Sequence, residues 1–234
     1  LDQYGPRALA SLTGGGEFSF PSAPFPIRLV TRLGSRYNYS AANQEFSGRY
    51  WAHGLTLGNQ NIMMEHDSEN CDMMMLVGKN AMMSHNFQQA RRKLKEISKD
   101  PDRLLVVVDP RVSETARIAD IHLAIRPGTD ALFIKSMISI ILKEGIYHKE
   151  FIAENTDGFE EILPWFSGFD AKSALQLCEL DYTLVVKICR ELVTRRSSIL
   201  DDLGILMNRH SALVSYLLVV LLALCGRIGV PGGN

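Results

Sequence analysis

Leu104 to Val108 are five consecutive apolar residues, three of them β-branched, with no polar alternation, which predicts a strand buried on both faces as in a parallel sheet. The same signature recurs at Asp72–Val77 (DMMMLV), and Ile121–Ile125 reads as a short, partly β-branched strand. Between and after them the period becomes helical. Phe87–Ser98 and Ala131–Lys143 read as amphipathic and apolar helices, and Ser113–Ile118 as a helical turn. Further on, Lys149–Glu154, Phe159–Trp165, Ala171–Leu177 and Asp181–Thr194 all carry apolar residues at three- and four-residue spacing, while Ser198–Leu206 (SILDDLGIL) reads as a returning strand with an acidic turn. Strands alternating with helices predict an α/β fold, a doubly wound and mainly parallel sheet flanked by helices.

Upstream, Tyr4–Leu12 leads through the loop Gly14-Gly15-Gly16-Glu17 and the proline-rich SFPSAPFPI to a short apolar helix around Arg28–Leu33, and Ala52–Leu57 reads as another short helix or turn. At the other end Ser211–Cys225 is uncharged and apolar. A membrane span needs about 20 such residues, so this segment is expected to be a core helix, stopped by Gly226, Gly229 and Pro231. No membrane span is expected in the chain.

The chain has 234 residues, enough for one large or two modest domains, and its 46% apolar content suffices for a core. Leu1 is not an initiator methionine, and the first residues read as a helix entering a strand in mid-fold, so a piece of a longer protein is expected. The net charge of −1 with interspersed signs excludes a nucleic-acid partner, which needs a basic patch. Arg91, Arg92, Lys93 and Lys95 read as the solvated face of a helix. Cys71, Cys178, Cys189 and Cys225 lie far apart with no Cys-x-x-Cys pair, so neither zinc nor iron–sulfur ligation is signalled and a reducing, cytoplasmic interior is the simplest expectation. A periplasmic location stays open, because a secretion signal would precede Leu1. The methionine groups read as core filler, except Met82 and Met83 on a loop, and of the scattered histidines only His85 neighbours that loop.

Candidate chemistry gathers at three strand ends, where open α/β sheets bind ligands. Gly78-Lys79-Asn80 follows the first strand: glycine for close approach or positive φ, lysine for a phosphate, asparagine as donor and acceptor. It is not a phosphate-binding P-loop, which needs Gly-x-x-x-x-Gly-Lys-Ser/Thr. Asp109-Pro110-Arg111 follows the second, and Asp109 either takes ribose hydroxyls or makes a local turn. Gly128-Thr129-Asp130 opens the helix after the third, where Asp130 either caps the helix or faces a polar ligand.

LVGKNAMMSHN, VVVDPRVSETARIADIHLAIRPGTDALF and LCGRIGVPGGN, in that order, resemble the large subunits of molybdopterin oxidoreductases, the formate dehydrogenase, nitrate reductase and dimethyl sulfoxide reductase superfamily. The likeness runs from YGPRALASL to GRIGVPGG. It implies a Rossmann-like domain over residues 45–234, preceded in 1–44 by the end of another α/β domain. The implied cofactor is a molybdenum or tungsten ion held by the dithiolenes of two pterin guanine dinucleotides, with Gly78, Lys79 and Asn80 beside phosphate and ribose, Asp109, Pro110 and Arg111 at the nucleoside end, and Gly128, Thr129 and Asp130 on the guanine side. An iron–sulfur cluster is implied upstream of Leu1, with electron-transfer subunits as partners and a small molecule as substrate.

The family supplies its metal ligand as cysteine, selenocysteine, serine or aspartate, and a few members supply none. The matching stretch, Asn43 to Arg49, has no cysteine, so Ser47 is the candidate, with Glu45 a second oxygen donor; an ordinary turn serine before Gly48 fits equally. Two alternatives stand beside this reading. One is a non-catalytic relative like the large iron–sulfur subunit of respiratory NADH dehydrogenase, against which the retained polar loops argue. The other is a nicotinamide-dependent dehydrogenase, which should show Gly-x-Gly-x-x-Gly where this chain has only Gly78.

Overall fold

The computed structural model describes residues 1–14, 24–84 and 87–234. Gly15 to Glu17, most of the proline-rich stretch and His85 lie outside the described residues. In chain order the elements are β1 (Ser11–Thr13), α1 (Pro24–Arg32), β2 (Asn38–Ser40), α2 (Ala42–Glu45), α3 (Ser47–Thr56), β3 (Met73–Val77), α4 (Ala90–Lys99), β4 (Leu104–Val108) and β5 (Ile121–Leu123). There follow α5 (Asp130–Glu144), α6 (Lys149–Asn155), α7 (Phe159–Ile162), α8 (Pro164–Ser167), α9 (Ala171–Leu177), α10 (Tyr182–Thr194), β6 (Ser197–Asp201), α11 (Leu203–Leu206) and α12 (Ser211–Leu224).

Four strands form a parallel sheet in the order β5-β4-β3-β6, with Met75 opposite both Val106 and Ile199. From β3 the chain moves outward to β4 and β5, then crosses back to β6 on the other side of β3. The strand order therefore reverses between β3 and β6, and the sheet is doubly wound. Every residue of β3 is buried, which is why its side chains need no polar alternation. Met73, Met75 and Val77 face a large core shared with α5, α9, α10 and α12, whereas Met74 and Leu76 face a smaller one closed by Leu94 and Ile97 of α4. β1 and β2 pair in parallel as a separate two-stranded sheet.

Local chemistry sets several boundaries. Asp170 and Asp181 cap α9 and α10 by accepting the Ser173 and Leu184 amides. The expected helix Phe159–Trp165 is two short ones, because Pro164 starts a new turn. The expected strand Ser198–Leu206 ends at Asp201, and its second half is the helical turn α11. α3 begins five residues before the expected Ala52. Gly48, a poor helix former, is needed there, since a Cβ would collide with Ser211 Oγ and sit 2.7 Å from the Ala212 nitrogen at the start of α12. At the outer edge of β6, the Asn234 side chain accepts the Ile199 N–H at 2.9 Å and donates to the Ile199 carbonyl at 2.6 Å. Among the described residues no helix is long and apolar enough to cross a membrane. α12 is a core helix packed on α3 and α5.

Candidate functional site: a crest of strand ends

Because β3, β4 and β5 are neighbouring parallel strands, the three polar loops emerge at one edge of the sheet. The first two are knitted together. Asn80 donates from Nδ2 to Glu114 at 2.7 Å and accepts from the Thr115 hydroxyl at 2.8 Å, so its amide braces the loop after β4. That bond holds the Glu114 carboxyl below the usual carboxylate range. Asp109 accepts the Arg111 amide at 2.8 Å, the local turn, which uses one of its two carboxylate oxygens. Pro110 and Arg111 are exposed at the tip, and the Arg111 guanidinium stands 3.6 Å from Glu114.

Gly78 has φ +62°, and any Cβ there would meet the Ile205 nitrogen at 2.9 Å and Ile205 Cγ2 at 2.8 Å. Only glycine lets β3 end this close to α11, where the Gly204 amide donates to the Gly78 carbonyl. Lys79 is 1% exposed and its ammonium lies 2.6 Å from Asp202, so of the two cations in these loops Arg111 is the one on the surface. A buried ammonium requires such a partner, since desolvating it alone costs several kcal/mol.

The third loop supplies a different environment. Gly128 is exposed, with no atom within 4 Å of where a Cβ would stand. Thr129 occupies the helix-capping position but turns its hydroxyl to the Arg126 carbonyl, and no side chain caps α5. Asp130 is instead the first helical residue, 7% exposed, and burial raises its pKa above the usual value against the pull of its own backbone amide.

Ser47, exposed at the start of α3, lines an open cleft of about 780 Å³ beyond the carboxyl ends of β1 and β2, together with Thr13, Ser40, Asn43 and Gln44. Glu45, the last residue of α2, is half-buried nearby in sequence. A second cavity, lined in part by Arg49, His53, Asp201 and Ser215, holds only about 10 Å³. That is room for about one water and for no cofactor. Among the described residues no group of three or more His, Cys, Asp or Glu side chains could hold a metal ion.

Three residues of this region were not singled out in sequence: Arg49, Asp201 and Asp202. The acidic turn after Ile199 was visible, but its partners lie 152 and 123 residues away, and a single sequence carries no signal for pairing at that distance.

Comparison with known proteins agrees with the geometry. The family model described as molybdopterin oxidoreductase matches residues 2–234. The F420-dependent formate dehydrogenase subunit alpha of Methanocaldococcus jannaschii is 32% identical over 167 residues, 71% of this chain and 24% of that protein. Formate dehydrogenase H of Escherichia coli is 28% identical over the same length, 71% of this chain and 23% of its own. The structure of acetylene hydratase from Pelobacter acetylenicus superposes with a TM-score of 0.78 at 25% identity, covering 96% of this chain and 30% of that one. The chain thus spans about a quarter of the length of these two curated relatives and is homologous to molybdopterin-dependent oxidoreductases. With a family match over nearly its whole length and a superposable parallel α/β fold, the chain belongs to the molybdopterin oxidoreductase family.

Proposed function

We propose that residues 45–234 bind one guanine dinucleotide of a bis(molybdopterin guanine dinucleotide) cofactor carrying molybdenum or tungsten, within the catalytic subunit of an oxidoreductase acting on a small molecule. Residues 1–44 then close a neighbouring α/β domain, and an iron–sulfur cluster and electron-transfer subunits outside this chain carry the electrons, in a cytoplasmic enzyme. The observation that carries the reading is Asp130: a carboxyl 7% exposed at a sheet crest, whose pKa burial raises against the pull of its own backbone amide. Two N–H donors in one plane, as on the N1–H and N2–H edge of guanine, match the two oxygens of such a group.

The remaining donors suit the rest of a nucleotide. Asp109 offers a second carboxylate for ribose hydroxyls, Arg111 an exposed guanidinium for phosphate, and Gly128 an open approach for a flat base. Asn80 holds the first two loops in register, and Lys79, committed to Asp202, anchors the loop from below. In the cleft, Ser47 presents a hydroxyl that would serve as the oxygen ligand to the metal. The cofactor, when bound, supplies two-electron or oxygen-atom transfer.

The relatives are named for different substrates, as formate dehydrogenases, a trimethylamine-N-oxide reductase and an acetylene hydratase. The test is chemical. Denaturing the full-length protein should release a guanine nucleotide together with molybdenum or tungsten, by mass spectrometry and elemental analysis. A protein produced in a cofactor-competent host that releases neither would defeat the proposal.

A further inference from the structure

Asp201 ends β6 and Asp202 follows it, and each is paired with a cation from a different part of the molecule. Arg49, in the first turn of α3, places a guanidinium nitrogen 2.6 Å from the Asp201 carboxylate and donates to the Asp201 carbonyl at 3.4 Å. Lys79, directly after the β3 tip, lies 2.6 Å from Asp202. Because Asp202 continues the extended backbone, with φ −152° and ψ −169°, successive side chains diverge and the two acids reach to different sides. All four side chains are at least four-fifths buried, at 10% and 17% exposure for the first pair and 1% and 15% for the second.

Those pairs link the segment beside the open cleft to the crest. Lys79 belongs to the crest, and Arg49 lies two residues after Ser47, which lines the open cleft. The Arg49 guanidinium also sits 5.3 Å from the centre of the Phe46 ring, so it grips the chain on both sides of Ser47. Gly48 completes the fixation by letting α3 press on the start of α12. A buried ion pair gives little net stability compared with apolar packing, and its best-attested use is to specify one arrangement among several.

We propose that Asp201-Asp202 is a clasp and Arg49 a positioning residue: together they fix the Ser47 wall of the cleft to the strand tips, so that cleft and crest form one binding surface. The proposal deepens the cofactor reading and rests on it for what the joined surface binds, whereas the mechanical coupling stands on the ion pairs.

Hydrogen exchange in the full-length protein decides it. The Tyr50 amide, which donates to the Phe46 carbonyl at 2.9 Å, reports the first turn of α3, and Ala90–Lys99 of α4 serves as internal reference. Arg49→Met and Asp201→Asn should each speed exchange at Tyr50 by about tenfold or more, with α4 unchanged. The charge-swapped double variant, Arg49→Asp with Asp201→Arg, should return it toward the parent rate. Unchanged exchange at Tyr50, or an equal rise in α4, would overturn the clasp. Should Arg49→Met fail to fold, the nearly isosteric Asp201→Asn carries the comparison alone. If the parent protein binds neither guanine nucleotide nor metal, the cofactor reading falls, while the exchange rates still settle the coupling.

Discussion

Replacing Asp130 by Asn separates a ligand-binding carboxylate from a helix-end acid, because the two roles predict opposite changes in stability. A carboxylate at the start of a helix gains about 0.3–1 kcal/mol from the helix dipole, and losing it should lower Tm. Asp130, however, is 7% exposed with its pKa raised, so in the ligand-free fold burial outweighs that gain. For an acid with a raised folded pKa, the unfolded chain releases its proton first, and stability is lost as pH climbs from 3.8 through the folded value. Asn carries no such charge, so at neutral pH Asp130→Asn should match or exceed the parent in Tm. Guanine binding should move the other way. Exchanging a charge-assisted bond for a neutral one forfeits about 1–1.5 kcal/mol, or roughly 5- to 10-fold in the Kd for GDP. Calorimetric titration of cofactor-free protein with GDP, beside a thermal melt of each variant, reads both quantities. A variant that melts several degrees lower yet binds GDP with parental affinity would refute the reasoning and leave Asp130 a helix-end residue.

Gly78→Ala combines a left-handed backbone with a Cβ 2.9 Å from the Ile205 nitrogen, which should cost about 2–5 kcal/mol in total. Tm should fall by roughly 5–15 °C, whereas Gly128→Ala, at φ +80° in open space, should cost only the conformational part, about 1–2 kcal/mol; equal losses would contradict the close approach at Gly78. His66 is pressed against the Phe87 ring, 4.2 Å between centres, and burial, aided by Lys93 and Lys79, lowers its pKa from 6.5 to about 4. The unfolded chain then binds the extra proton between those two values, so stability should be full above pH 6.5 and decline toward pH 4, by about 3 kcal/mol at most. Urea melts of His66→Phe should lack that decline, and an unchanged pH profile would count against it.

The strands were legible because a doubly buried strand must be apolar throughout, and Leu104–Val108 and Met73–Val77 could hardly be anything else. Their polar tips were legible for the same reason, since an apolar run that stops at glycine or aspartate marks its own end. What the tips do was less so. Lys79 invites a phosphate in sequence, yet in the fold its partner is Asp202, and Asn80 spends its amide on Glu114 and Thr115. Both outcomes depend on which segments the sheet order brings together. The early start of α3 was hidden similarly: Ser47-Gly48 has the composition of a turn, and only the approach of α12 makes glycine an asset inside a helix.

The Asn234 amide against Ile199 has a consequence for solution behaviour. Among the described residues β6 is an outer strand of its sheet, and such a strand offers its unpaired N–H and C=O groups to a passing extended chain. By occupying both groups of Ile199 at once, one asparagine imitates the peptide of a neighbouring strand. The mid-strand groups of β6 are thereby already satisfied, and an extended chain approaching along Ile199 would first have to displace the asparagine.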